Sequence, residues 1–273
     1  MPGRLAIVAG SGPMPRRLAD TARRAGRDVF ILCLDGITDP TTAEGLPSAT
    51  VGIGQVGRAI DILHRERIAE VCLLGPVRRP SLSAIGLDAR AIGMLPKLLR
   101  TGRGDDALLR LILAELEGEG FRIVGAHEVE GDLLTPEGRL SRLAPDADAL
   151  RDIALGVKVA RALGALDVGQ AVVVQQEQVI GVEGIEGTDR LIERCGELRL
   201  VGRGGVLVKM RKPQQERRAD LPTAGVDTVR RAQAAGLVGI ALEAGQTLLV
   251  DREATIAACD AAGLFLVGIV PEP

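Results

Sequence analysis

Aromatic side chains are nearly missing from this chain: three Phe, no Tyr and no Trp among 273 residues. Base stacking needs aromatic faces, so the composition argues against the stacking modes of DNA and RNA binding. The formal charge of -2 removes a global basic field as well. Cysteine is sparse. Cys33, Cys72, Cys195 and Cys259 lie far apart with no C-x-x-C spacing, which argues against a zinc site or a disulfide framework and for a reducing compartment. Cys33 and Cys72 sit in apolar runs and read as core. His64 and His127 are the only histidines, too few for a His-rich two-metal centre. No apolar run approaches the roughly 18 residues of a membrane span, and MPGRLAIVAGSG meets its glycines too early for a signal peptide. A cytoplasmic protein is expected, which leaves room for a lipid substrate taken from the membrane surface.

What is present is aliphatic. Hydrophobic residues make up 46 % of the chain, and a Val/Ile/Leu/Ala core suits a parallel sheet covered by helices. The first half alternates accordingly. Strands are expected at 5–10, 28–34, 70–75 and 121–126, and helices at 15–26, 56–69 and 105–118. That alternation implies an open, mostly parallel α/β sheet of Rossmann-like type over 1–130. Residues 131–145, with Pro136 and Pro145, read as a linker. A second α/β domain follows over 146–273: a helix at 150–163, a hairpin turning through 175–178, further strands at 207–210, 238–242, 247–250 and 264–269, and helices at 228–235 and 252–262.

Several constellations carry chemistry. Gly10-Ser11-Gly12 follows the first strand, where backbone N–H groups and a helix N-terminus favour an anion. It is a partial dinucleotide fingerprint, with Pro15 in place of the third glycine and Asp35 as a ribose contact; a plain strand-to-helix turn explains the residues equally well. Gly104-Asp105-Asp106 opens a helix, where capping by Asp105 is the simpler account and a ligand contact the alternative. Gln170, in DVGQ before AVVV, is placed to bond a ligand amide or phosphate. Glu183, Glu186 and Asp189 crowd one glycine-rich turn. Thr188 or Asp189 caps the following helix on this pattern, and the acids form an oxygen-ligand set suited to magnesium. His127 follows a strand end, where ligands bind in open sheets. The densest stretch is GGVLVKMRKPQQERRADLPTAGVDT, residues 204–228. It sets Lys209, Lys212, Arg217 and Arg218 beside Gln215, Glu216 and Asp220, a mixture suited to a polyphosphate with a divalent metal. A solvated charged loop is the competing account.

Taken together, LAIVAGSGPMP, GDDALLR, EGFRIVGAHE, LDVGQAVVV, EGIEGTDRLIERC, KMRKPQQERRADLPTAGVDTV and AGLVGIALEAG resemble the LpxI-type UDP-2,3-diacylglucosamine pyrophosphatases of lipid A biosynthesis, along almost the whole chain. The resemblance implies magnesium-dependent attack of water on the α-phosphorus of UDP-2,3-diacylglucosamine, giving UMP and 2,3-diacylglucosamine 1-phosphate. It implies a Rossmann-like N-terminal domain, a C-terminal domain of its own type with substrate held between them, and a homodimer. On that basis Asp220, Lys212, Arg217 and Lys209 are the expected catalytic residues. Gly10, Ser11, Gly12, Gly104, Asp105, Asp106, Gln170, Thr188 and Gln215 are expected to bind substrate, and Asp220, Asp189, Glu186 and Glu216 to hold Mg2+. No nucleic-acid partner is expected; peripheral contact with the inner membrane is. Glu216 stands where the family commonly has Asp, so its carboxylate reaches a different point. The rival expectations are an NAD(P)-dependent oxidoreductase and a non-catalytic UDP-sugar sensor.

Overall fold

The computed structural model describes residues 3–77, 86–101 and 105–271. The chain divides into two compact units. One comprises Met1–Gly131 with Glu216–Asp220; the other comprises Asp132–Gln215 with Leu221–Pro273. A five-residue excursion from the later sequence therefore belongs to the N-terminal unit.

In the N-terminal unit, β1 (Arg4–Ala9), β2 (Val29–Leu34), β3 (Ser48–Val51), β4 (Ile68–Leu74) and β5 (Arg122–Ile123) form one parallel sheet in the order β3-β2-β1-β4-β5. The order reverses at β1, so a crevice is expected outside the carboxyl ends of β1 and β4. The helices are α1 (Met14–Arg24), α2 (Val56–Arg65), α3 (Ala89–Thr101), α4 (Asp105–Gly118) and the single turn α5 (Ala126–Val129). Alternate strand residues serve the two faces. Ala6, Phe30, Leu32 and Val71 join Ile60, Leu63, Leu113 and Leu116 of α2 and α4 in one core. α1 packs on β1 and β2 through its stripe of Pro15, Leu18, Ala19 and Ala22. α2 stops short of the expected 69, because Arg67 adopts φ 53° and β4 begins at Ile68.

The second unit has a six-stranded mixed sheet. Its strands are β6 (Gly138–Arg139), β7 (Ala171–Gln175), β8 (Gln178–Val182), β9 (Val206–Lys209), β11 (Gly239–Glu243) and β13 (Phe265–Ile269), in the order β6-β13-β11-β9-β7-β8. β9, β11 and β13 run parallel; β7 is antiparallel to β8 and β9. The stretch read as a linker carries β6, which pairs with β13. A separate parallel pair joins β10 (Thr223–Ala224) to β12 (Leu248–Leu249). Around the sheet lie α6 (Ala147–Ala165), α7 (Gly187–Glu197), α8 (Val226–Ala234) and α9 (Arg252–Ala262). Val172, Val174, Val206 and Val208 face α6, while Ala171, Val173 and Leu207 face the α7–α9 side. The central strands are apolar on both faces for this reason. α6 lies close on the sheet because Gly156 is there; a Cβ at that position would fall 2.5 Å from a Val208 methyl.

Among the described residues no helix is long and apolar enough to cross a membrane. Cys72, Cys195 and Cys259 are buried free thiols, and burial pushes them up to about 12, 11 and 12 respectively.

Candidate active site

At the carboxyl edge of the N-terminal sheet, the β1–α1 turn approaches the end of β4 very closely. A Cβ on Gly10 would lie 2.3 Å from the Gly75 carbonyl oxygen, so only glycine fits. The backbone donors of this turn are engaged within the chain. Gly10 N–H donates to Leu74 O (2.8 Å), Ser11 N–H to Pro76 O (3.0 Å) and Gly12 N–H to the Asp39 carboxylate (2.6 Å). Asp39 thus sits where an anionic ligand of a glycine turn would be expected. A cleft of about 470 Å³ opens beside it, lined by Gly12, Arg16, Arg17, Asp39 and Thr41 among others. Sequence reasoning passed over Arg16 and Asp39, since neither lies in the glycine motif; Asp39-Pro40 is the only local hint.

The segment Glu216–Asp220 belongs to this unit. It is a tight turn: the Glu216 carbonyl accepts from Ala219 N–H (3.3 Å) and from Asp220 N–H (3.0 Å). Ala219 packs on the core that contains Leu113, Leu116 and Phe121. Glu216 Oε1 accepts from Arg218 N–H (3.1 Å) and Nε (2.9 Å), and Oε2 accepts from Arg218 Nη2 (2.9 Å). Arg218 Nη1 also pairs with Glu117 of α4. Arg217 and Asp220 are exposed. His127, just past β5, has its ring against Gly125, and its buried Nδ1 finds no hydrogen-bond partner among the described residues. Burial pulls its imidazole below the usual range, with Glu128 opposing and Arg217 adding to the effect. His64 is half-exposed, bonded to Glu119 and stacked near Phe121, as its helix position suggests.

The hydrogen bonds from Arg218 hold the Glu216 carboxyl below its ordinary value of 4.5. A carboxyl lowered on folding stabilises the fold above its unfolded value, and that contribution is lost as pH falls through the lowered one. The melting-temperature gap between wild type and Glu216→Gln is therefore expected to be widest near neutrality and to close below about pH 4.5. Thermal melts across pH 3–8 check this; a gap that does not vary with pH would show that ionisation of Glu216 adds no stability.

In the second unit, β9 ends at Lys209, which is 6 % exposed and donates from Nζ to the Thr223 carbonyl (2.8 Å). Lys209 pairs across the ladder with Ala171, and Met210 N–H donates to Gln170 O, so Gln170 and Lys209 share one edge. Gln170 Oε1 is buried without a partner among the described residues. Lys212 Nζ reaches Asp167 (2.7 Å), and Lys212 N–H donates to Oε1 of the buried Gln215 (3.2 Å).

The acids of the glycine turn separate. Glu183 is buried and accepts from Gln170 N–H (2.9 Å) and the Thr188 hydroxyl (2.8 Å). Glu186 takes Gly184 N–H and Arg194 (2.9 Å), and Asp189 pairs with Arg231 (3.3 Å). The expectation that Thr188 or Asp189 caps α7 is corrected. The helix starts at Gly187, both residues lie in its first turn, and no side chain caps it. Gly104 lies outside the described residues; Asp105 and Asp106 are the first residues of α4.

Among the described residues no group of three or more His, Cys, Asp or Glu converges to hold a metal. Magnesium commonly binds through one or two carboxylates, with phosphate oxygens and water completing its shell. The exposed Asp220 carboxylate suits that mode. Glu186 Oε1 is given to Arg194 and its Oε2 to the Gly184 N–H, and both Glu216 oxygens are given to Arg218.

Comparison with known proteins divides the chain at nearly the same point near residue 132, but keeps residues 216–220 with the C-terminal part. Residues 4–133 match the LpxI N-terminal domain and residues 136–267 the LpxI C-terminal domain. The chain is 46 % identical to the UDP-2,3-diacylglucosamine pyrophosphatase LpxI of Caulobacter vibrioides, over 98 % of each protein. The glycine turn, the Glu216–Asp220 excursion and the Lys209–Gln215 loop all fall inside these matches, and the chain belongs to the LpxI family.

Proposed function

We propose that this protein hydrolyses the pyrophosphate bond of UDP-2,3-diacylglucosamine, as the name of its Caulobacter relative describes. Water adds to the α-phosphorus while the bond from that phosphorus to the bridging oxygen breaks. The bridging oxygen leaves on the sugar side, so the products are UMP and 2,3-diacylglucosamine 1-phosphate. The observation that carries this reading is that Asp220 and Arg217 are both exposed on one tight turn, closed by Glu216 O and by the Arg218–Glu216 hydrogen bonds.

In this reading Asp220 holds the catalytic Mg2+ or orients the attacking water. Arg217, Lys212 and Lys209 offset the charge of the pyrophosphate as it develops in the transition state. Bound magnesium supplies further charge neutralisation on the phosphoryl oxygens. Gln170 and Gln215 orient the substrate through their amides, and Gln170 Oε1 has acceptor capacity in reserve. Gly10, Ser11 and Gly12 shape the wall that receives the uridine diphosphate, rather than binding it through their amides, which are engaged. The same engagement weighs against the dehydrogenase alternative. A dinucleotide pyrophosphate would have to displace Asp39 from Gly12, and Pro15 lies inside α1 where a third glycine is needed.

Turnover in 18O-labelled water tests the reaction directly. UMP is expected to carry the label, and EDTA to stop its release. Label in the sugar phosphate would overturn α-attack, and absence of UMP release would favour a UDP-sugar sensor.

A further inference from the structure

We propose that Glu216, Arg218 and Glu117 form a clamp that positions Asp220, and that Glu216 acts as a positioning residue rather than as a metal ligand. The proposal rests on the assignment of Asp220 to the reaction.

The geometry is specific. Both Glu216 oxygens turn back onto their own segment, one shared by the Arg218 amide and Nε, the other taken by Nη2. This two-point guanidinium–carboxylate fork fixes orientation as well as distance. The carbonyl of the same Glu216 accepts the amide of Asp220 at 3.0 Å. A shift of Glu216 therefore moves the backbone that carries the reacting carboxylate. The outer end of the clamp is Glu117, in the last turn of α4, a turn that has no basic residue of its own. An acid there opposes the helix dipole, and Arg218 supplies the cation that this end favours. Ala219, between Arg218 and Asp220 in sequence, is partly buried and packs against the core of this unit. A metal at Glu216 would have to break the fork with Arg218.

The clamp predicts that Glu216→Gln, Arg218→Ala and Glu117→Gln each lower kcat with little change in KM. Arg218→Ala is expected to fall furthest, by about 10²-fold, the scale of a misplaced reacting group. Glu216→Gln with Arg218→Ala should cost no more than the worse single change, since both break one unit. The magnesium concentration for half-maximal activity should stay at the wild-type value in every variant. Arg218→Lys should recover part of the loss. In metal-free protein, amide hydrogen exchange over residues 216–220 should quicken in each variant.

A raised magnesium requirement in Glu216→Gln alone would make Glu216 a ligand and overturn the proposal. So would additive losses in the double variant, or wild-type kcat in Arg218→Ala. If Arg218→Ala does not fold, Glu117→Gln at the solvent end decides, and wild-type kcat there overturns the clamp. Asp220→Asn separates the two layers. If it is inactive while the clamp variants are normal, only the clamp fails; if it is fully active, the reading of Asp220 fails first.

Discussion

Asp220→Asn should lower turnover of UDP-2,3-diacylglucosamine on the order of 10³-fold, the cost of losing one well-placed group that meets developing charge, while binding of substrate persists. The reason lies in what the substitution leaves intact. Asn has the shape of Asp, and the turn is fixed by the backbone bond of residue 220 to Glu216 O, by Ala219 packed against the core and by the Arg218 fork, none of which uses the Asp220 carboxylate. What disappears is one negative charge at an exposed position beside Arg217. A carboxylate that holds a metal or orients water acts in the transition state, so kcat should fall and KM should not. Single-turnover UMP release with a parallel binding measurement is the check. A drop of less than about tenfold would remove Asp220 from the chemistry, and loss of binding equal to the loss of rate would make it a substrate contact only.

Much of the architecture was legible because the apolar runs are long and two-sided. LAIVA, VFILCL, AVVVQ and VLVK are strands in the structure, and α4 and α9 have the bounds that their periodicity suggests. The misses have physical causes. β3 is an edge strand with only Val51 buried, so its pattern is faint. α3 contains Pro96, which reads as a break. At α7 the motif G-T-D mimics a cap, but the Thr188 hydroxyl goes to the buried Glu183, a contact that no local pattern encodes.

The site was legible in its residue types and not in its grouping. Lys209, Lys212, Gln215, Glu216 and Asp220 follow one another in sequence, yet the structure assigns the first three to one unit and Glu216–Asp220 to the other. The deciding contact is Ala219, the lone apolar residue in ERRAD, partly buried against the core of the N-terminal unit. One methyl group is invisible to hydropathy patterning. The partner of Arg218, Glu117, is equally hidden, because an acid near a helix end more than a hundred positions earlier has no signature of its own.

The largest stability effect is expected at Asp152, remote in sequence from every residue given a chemical role above. Asp152 lies on α6 with no exposed surface. Its Oδ1 accepts from Glu177 N–H (2.7 Å), and its Oδ2 from Gln176 N–H (3.3 Å) and from Arg203. Gln176 and Glu177 make the β7–β8 turn at φ 54° and 58°, a left-handed pair that side chains other than glycine adopt at a cost. The buried carboxylate offsets that cost by taking both turn amides. Asp152→Ala removes the acceptor, leaves two amides in the turn without it, and leaves the Arg203 guanidinium with only the more distant carboxylate of Asp146 (3.9 Å) of its two, so a loss of about 3–5 kcal/mol is expected. Replacing the pair together, Asp152→Leu with Arg203→Met, should recover a large part of it, since the uncompensated charge goes too. Denaturant unfolding with a fluorescent reporter in this unit would measure both. The turn lies at the opposite end of β7 from Gln170. The folded fraction of Asp152→Ala should therefore keep its kcat, and a parallel fall in kcat would mean that the turn reaches the chemistry through the length of the strand.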